Sequence, residues 1–157
     1  MRLTVDGAAR TQPIVVSLDP RVRIAPVALT QLNTLSTALY WEAVAAHKAF
    51  NEAKALAATI AGRSGPAVES LKGELEALAP TGLQRNIRVL RRRGAVPARP
   101  TLEAASNALQ AAAMAMQAAE VAPTETQIAA AAAARAQARP VMAQWAAAKA
   151  KAASLRP

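Results

Sequence analysis

The sequence predicts a mainly α-helical fold: an up-down bundle of three to four alanine-rich helices, preceded by a short N-terminal β-hairpin. Three observations predict it. The first 18 residues alternate as paired strands do, apolar residues then recur at spacings of three and four, and alanine supplies much of the 53% hydrophobic content. We divide the chain into a hairpin with its exit, 1–22, and a helical bundle, 23–157, with an arginine-rich insert at 81–100.

The hairpin is predicted from a turn signal that follows an alternating segment. Leu3 and Val5 alternate with polar neighbours, and Asp6-Gly7 comes next, where glycine supplies the positive φ that a type I′ turn needs. We expect the return strand over about 11–18, with Pro13 marking a sheet edge because proline has no N–H to donate. The centre of this strand is β-branched and favours an extended chain: Ile14, Val15 and Val16.

Two strands alone cannot bury a face, so the hairpin needs something to pack on. In one interpretation, Val5, Val15 and Leu18 pack on the chain's own helices. In the other, a free edge of the hairpin adds to the sheet of a partner protein. The sequence leaves both open, and the docking candidates on this element are Leu3, Val5, Ile14 and Val16.

Apolar periodicity and breaker residues define the first two helices. The first is predicted to begin at Pro26 and to end at Gly62. It carries the longest apolar stripe: Leu32, Leu35, Leu39, Ala43, Ala46, Phe50, Ala53, Ala57 and Ile60. The second helix is short, ends before Pro80, and has its apolar side formed by Val68, Leu71, Leu75 and Leu78.

Capping signals define two further helices. Thr101 is a good N-cap, and Thr124 with Gln127 forms a capping-box pattern. The stripe of the third helix is Leu102, Ala105, Leu109, Ala112 and Met116. Pro140 is expected to kink or break the fourth helix. The inner face of that helix is expected to be Ile128, Ala131, Ala138, Val141, Trp145, Ala148, Ala152 and Leu155.

Because alanine adds little core volume, a few large residues are expected to anchor the bundle. The aromatic candidates are Tyr40, Trp41, Phe50 and Trp145. We expect Trp41 or Phe50 to approach Trp145 or the region that contains the methionines at 114 and 116.

Several short segments occur in the order of a known architecture. They are Arg2-Leu3-Thr4-Val5-Asp6-Gly7, Thr11-Gln12-Pro13-Ile14-Val15-Val16, Leu18-Asp19-Pro20-Arg21-Val22, residues 102–109, Ala119-Glu120-Val121-Ala122-Pro123-Thr124 and Gln144-Trp145. This order resembles the C-terminal part of bacterial BNR-repeat, sortilin-like β-propeller proteins, often labelled glycosyl-hydrolase-like. The resemblance implies strands that close a small β-sandwich, a helical segment after them, and a periplasmic or extracellular setting. The chain contains no propeller, so no propeller activity is implied.

Catalytic chemistry has little support in the sequence. The chain has no cysteine, which excludes disulfides, thiolate catalysis and cysteine-based zinc sites. His47 is the only histidine, and Glu42 lies five residues before it, which is the wrong spacing for a shared metal face on a helix. The two aspartates, Asp6 and Asp19, are explained by the turn and by the strand exit, where Arg21 or Arg23 is the expected partner of Asp19. We predict no enzyme, no cofactor and no metal.

The arginine-rich insert is the one feature of the bundle that suggests a partner. The chain has a net charge of +9 and a pI of about 11.3, which favours association with anionic surfaces. The most favoured interpretation of the insert is a solvated loop without a partner. The second is docking to a protein or to an anionic membrane surface. Nucleic acid is the least favoured partner, because no aromatic residue in 81–100 is available for base stacking. The docking candidates are Arg85, Arg88, Arg91, Arg92 and Arg93.

We therefore expect a non-enzymatic structural or protein-interaction module, an accessory subunit or appendage of a larger bacterial assembly. Other protein chains are its expected partners, and no stretch is apolar and long enough to cross a bilayer. The residues themselves leave the compartment open, including the cytoplasm, since both cytosolic and exported proteins can lack cysteine. The main alternative is a basic helical module that binds nucleic acid or an anionic membrane surface.

Overall fold

The computed structural model describes residues 2–15, 17, 19–21, 24–80, 100–118 and 121–155. Within them it contains two strands, β1 (Arg2–Val5) and β2 (Ala8–Thr11). Four helices follow in the described residues: α1 (Pro26–Ile60), α2 (Pro66–Leu78), α3 (Leu102–Gln117) and α4 (Glu125–Ser154). The predicted fold class, a mainly helical bundle after a short hairpin, is confirmed.

The hairpin is built around the predicted turn, but its return strand is shorter and earlier than expected. Asp6 and Gly7 have φ of 50° and 79°, and β1 pairs antiparallel with β2 so that Val5 faces Ala8. The expectation of a return strand over 11–18 is wrong, because a two-residue turn forces pairing to begin at the residue after it. Val16 and Leu18, which belonged to that expectation, lie outside the described residues.

Local signals explain where the helices begin. Pro26 and Pro66 stand in the first turns of α1 and α2, where the missing N–H would have no helical partner in any case. The Thr101 hydroxyl accepts a hydrogen bond from the Ala104 N–H at 3.2 Å. Thr124 and Gln127 form the predicted capping box at the start of α4.

Inter-helix contacts show the direction of each helix. Arg135 and Lys149 of α4 bind Glu42 and Glu52 of α1 in the same order along both helices, so α4 runs parallel to α1. The start of α3 packs near the second half of α1, whereas its end packs near the first half, so α3 runs antiparallel to α1. Helix α2 turns back directly after α1. The chain therefore goes up in α1, down in α2 and α3, and up in α4.

The descending arm of the bundle is split between α2 and α3. A lower cluster joins the first half of α1, α3 and the first half of α4. An upper cluster joins the second half of α1, α2 and the second half of α4, and it contains both Leu78, the last residue of α2, and Leu102, the first residue of α3. The end of α2 and the start of α3 are thus buried in one cluster.

Small residues form the contact between α1 and α3. The two helices are packed along the lower cluster through Ala43 and Ala46 on α1 and through Ala105 and Ala112 on α3. The buried Ser106 hydroxyl donates a hydrogen bond to the Ala43 backbone carbonyl at 3.0 Å. A side chain of one carbon and one oxygen reaches the other backbone, which shows how closely these helices approach.

Two of the four predicted aromatic anchors are not in the core. Tyr40 and Trp41 are 50% and 61% exposed and stack edge-to-face on each other, with ring centroids 5.1 Å apart. Trp145 is 6% exposed, in the upper cluster, and Phe50 packs half-buried against that cluster. Phe50 thus packs against the cluster that contains Trp145, and the expected core role of Tyr40 and Trp41 is wrong.

Pro140 does not break α4, which is continuous from Glu125 to Ser154. Proline removes the hydrogen bond to the carbonyl four residues earlier. Both Pro140 and Ala136 are exposed, so that carbonyl lies on the solvent side of the helix. The expected break is therefore wrong.

The two tryptophans should differ in solvent access. Replacing Trp41 with Phe should remove most of the fluorescence that acrylamide quenches and leave a blue-shifted emission from Trp145, because only Trp145 is buried. Replacing Trp145 with Phe should have the opposite spectral effect. Equal quenching of the two single-tryptophan variants would contradict the orientation of α1.

Enlarging a residue in the lower cluster should destabilise the bundle. Ala46 is fully buried, so Ala46→Leu should lower the free energy of unfolding by about 1–3 kcal/mol through overpacking. Ala55 lies on the exposed side of the same helix, and Ala55→Leu should change the free energy by no more than about 0.5 kcal/mol. Urea unfolding monitored by circular dichroism measures both. Equal losses in the two variants would contradict the packing.

Candidate interaction surface

The hairpin presents its apolar side chains to solvent. All eight strand residues are exposed. Leu3 and Val5 lie on one face of the two-stranded sheet, 61% and 57% exposed, opposite Arg10 and Ala8. No strand residue belongs to either buried cluster of the helices. The interpretation in which Val5 and Val15 pack on the chain's own helices is therefore not what the described residues show.

Both edges of the hairpin sheet are open within the described part of the chain. The sheet contains β1 and β2 and no third strand there. Beyond β2, Ile14 and Val15 are also exposed, although neither lies in a strand. The predicted docking residues Leu3, Val5 and Ile14 are thus all accessible within the first 15 residues, and Val16 lies outside the described residues.

The strand exit is organised by the expected ion pair. The Arg21 guanidinium binds the Asp19 carboxylate at 2.7 Å, and the Arg21 backbone N–H donates to the same carboxylate at 2.9 Å. These hydrogen bonds from the side chain and backbone of Arg21 hold the pKa of Asp19 below its ordinary value of 3.8. Both groups are exposed to solvent, and Arg23, the other predicted partner, lies outside the described residues.

The arginine candidates of the insert lie outside the described residues: Arg85, Arg88, Arg91, Arg92 and Arg93. Buried residues flank the insert on both sides. Leu78 and Ala79 are buried before it, and Leu102 is fully buried after it. In sequence, residues 81–99 contain six arginines and no acidic residue, out of a net charge of +9. Two thirds of the net charge therefore belongs to a segment that joins the bundle at one place.

His47 is exposed on α1 and has no acidic cluster around it in the described part of the chain. Its ring lies 6.4 Å from the Phe50 ring. Glu42 points to the other side of α1, where it binds Arg135 of α4. The described residues contain no group of three histidine or acidic side chains that could hold a metal ion. In the same part of the chain, no helix has the combined length and apolarity of a membrane span.

Sequence reasoning missed two exposed features of the bundle. Tyr40 and Trp41 are adjacent on a helix, about 100° apart, so they cannot both share the stripe that contains Leu39 and Ala43. That spacing is visible in the sequence and could have placed them outside the core. The second feature is a pair of arginines on α4, Arg135 and Arg139, beside α1. The spacing of four residues is visible in the sequence, but the position of the pair beside α1 depends on the packing of distant segments.

No protein-family model matches this chain, and no curated protein or solved structure matches it significantly.

Proposed function

We propose that this chain is a non-enzymatic protein-interaction module, an accessory subunit of a larger exported bacterial assembly, which docks through its N-terminal hairpin. One observation carries the proposal: the hairpin is exposed on both faces and open at both edges within the described residues. An isolated two-stranded hairpin is at best marginally stable in water. Addition of a strand from a partner would satisfy an open edge and cover Leu3 and Val5.

Two further points support this proposal. The helical bundle has its own buried clusters, so the hairpin is not needed to complete the core. The resemblance to the segment that follows sortilin-like β-propellers favours a hairpin that belongs beside other strands and a periplasmic or extracellular setting. The arginine-rich insert is a second docking element in this proposal, because six arginines and no acidic residue occur within 81–99 of the sequence.

A second function, binding of nucleic acid or of an anionic membrane surface, is favoured by the charge of the insert alone. Six arginines without a compensating acid in 81–99 are a concentrated cationic segment. Phosphates of either partner class would attract it. The absence of aromatic residues in the segment disfavours base stacking, so we place this function second.

Charged substitutions in the hairpin should release the partner. The tagged chain is purified from its source under gentle conditions, and stoichiometric partners are identified by mass spectrometry. Leu3→Asp with Val5→Asp should abolish co-purification of the partner, because two charges would be buried at the new interface. Val27→Asp is the matched control: Val27 is also apolar and exposed, but it lies in the first turn of α1. A partner retained by the hairpin variant would contradict the proposal.

Removal of the arginines should test the second function. Binding to duplex DNA and to vesicles with anionic lipid is measured by anisotropy and by sedimentation over a series of salt concentrations. A variant with four alanine substitutions is compared with the unchanged chain: Arg88, Arg91, Arg92 and Arg93→Ala. For DNA, the slope of log affinity against log salt concentration should become shallower by roughly 0.9 for each phosphate that the variant no longer neutralises. A control removes four exposed cations elsewhere: Arg2, Arg10, Arg21 and Lys54→Ala. Equal effects of the two variants would show non-specific attraction and exclude a site in the insert.

A further inference from the structure

The side of the bundle between α1 and α4 contains an open groove along the lower half. Two adjoining concavities of about 510 and 320 Å³ lie there and share Arg135 and Arg139 of α4. We call this surface the α1–α4 groove and define it by Leu35 and Ala45 of α1, Ile128, Arg135 and Arg139 of α4, and Leu109 of α3. No proposed role of the hairpin or of the insert involves these residues.

The groove is a shallow concavity where α1 and α4 lie over α3. Leu109 of α3 contributes to its floor and is almost completely covered by its neighbours. Three helices therefore line a concave surface that faces solvent. The lining of α4 extends from Ile128 to Met142, which is about 21 Å, or four helical turns.

The apolar side chains at the groove are incompletely covered. Ile128, expected on the inner face of α4, is 40% exposed, and Leu35 is half-buried. The remaining walls are largely alanine, including Ala45 and Ala132. Small walls admit close approach of another backbone, as they do between α1 and α3. A helix thus fits this surface better than a flat loop does.

The charge of the groove indicates what that helix carries. Arg135 uses Nε and Nη2 to bind the Glu42 carboxylate, which leaves further N–H groups of its guanidinium for a second acceptor. Burial is modest, and the hydrogen bonds with Glu42 raise the pKa of Arg135, so it stays charged. Arg139, one turn later, is exposed and makes no hydrogen bond or ion pair with any residue that the structure describes. One glutamate faces two arginines, and the groove is net positive.

We propose that the α1–α4 groove binds an amphipathic, acidic helix of a partner protein, which completes a four-helix arrangement in the lower half of the bundle. Its apolar face packs on Leu35 and Ile128, and its carboxylates bind Arg139 and the free side of Arg135. The chain's own segment 81–99 is a poor occupant, because its six arginines and lack of acids would add positive charge to a positive groove.

A pair of synthetic helical peptides tests this proposal. Both have about 18 residues, or five helical turns, with leucines spaced by three and four; one carries glutamates beside the leucines, and its twin carries lysines. The acidic peptide should bind the full chain saturably by fluorescence anisotropy, whereas the lysine twin should not. Arg139→Glu should weaken the binding by about tenfold, since it replaces an attraction by a repulsion. Lys54→Glu, which reverses an exposed charge on the second half of α1 away from the groove, should leave the affinity unchanged.

The binding site is located by methyl NMR on the same samples. The chain has five isoleucines, and the methyl signal of Ile128 should shift on addition of the acidic peptide, while that of Ile60 in the upper cluster should not.

Equal binding of both peptides, no binding of either, an unaffected Arg139→Glu variant or an unshifted Ile128 signal would each overturn the proposal. The proposal would also be overturned if the chain dimerised on its own and Arg139→Glu abolished that dimerisation. The occupant of the groove would then be a second copy of the chain. Because the hairpin variants do not touch this groove, the two proposals fail independently.

Discussion

The close contact of α1 with α3 is the constraint on which the rest of the bundle depends. Dispersion forces act over very short distances, so alanine faces contribute to stability only when their backbones come close together. The hydrogen bond from Ser106 to the Ala43 carbonyl fixes that approach, and it also satisfies a buried hydroxyl. Large side chains of the same two helices, Leu39, Leu109 and Met116, are also fully buried in the lower cluster. The buried residues that α4 contributes to this cluster are small: Ala131, Ala134 and Ala138.

Helix α4 is held to α1 in a different way. Its charged contacts to α1 are ion pairs at the surface, from Arg135 to Glu42 and from Lys149 to Glu52. Such pairs contribute about 0–1 kcal/mol each in solvent. At the upper end, the Arg63 guanidinium donates to the Leu155 carbonyl, and Lys151 joins α4 to Glu74 of α2. The upper end of α4 is therefore fastened by several polar groups, whereas its lower half lies beside the groove.

The sequence predicts best those elements whose large residues all fall on one side. The stripes of α2 and α3 are buried as expected, because leucine and methionine at spacings of three and four leave no alternative face. The stripe of α1 is less well defined in sequence because alanine occurs on all sides of the helix. There, Ser36 and Ala49 are buried, whereas Leu35 and Phe50 are only partly covered.

The residues of the two candidate surfaces also differ in how far the sequence could predict them. Leu3 and Val5 could be identified because strand alternation and the Asp-Gly turn are local signals. Their exposure could not, since it depends on whether the helices offer them a place to pack. The position of Arg139 beside α1 could not be predicted. It follows from the parallel course of two helices whose contacting residues, such as Glu42 and Arg135, are 93 positions apart.

The split descending arm gives one buried cluster two roles. Leu78 and Leu102 both belong to the upper cluster, and both are almost completely buried. Full burial of a leucine side chain contributes about 1.5–3 kcal/mol, so each of these residues stabilises the upper half of the bundle. The same two residues lie close before and after the segment 81–99 in the sequence. The packing of the upper cluster and the points at which that segment joins the bundle therefore depend on the same residues, and a substitution that weakens one weakens the other.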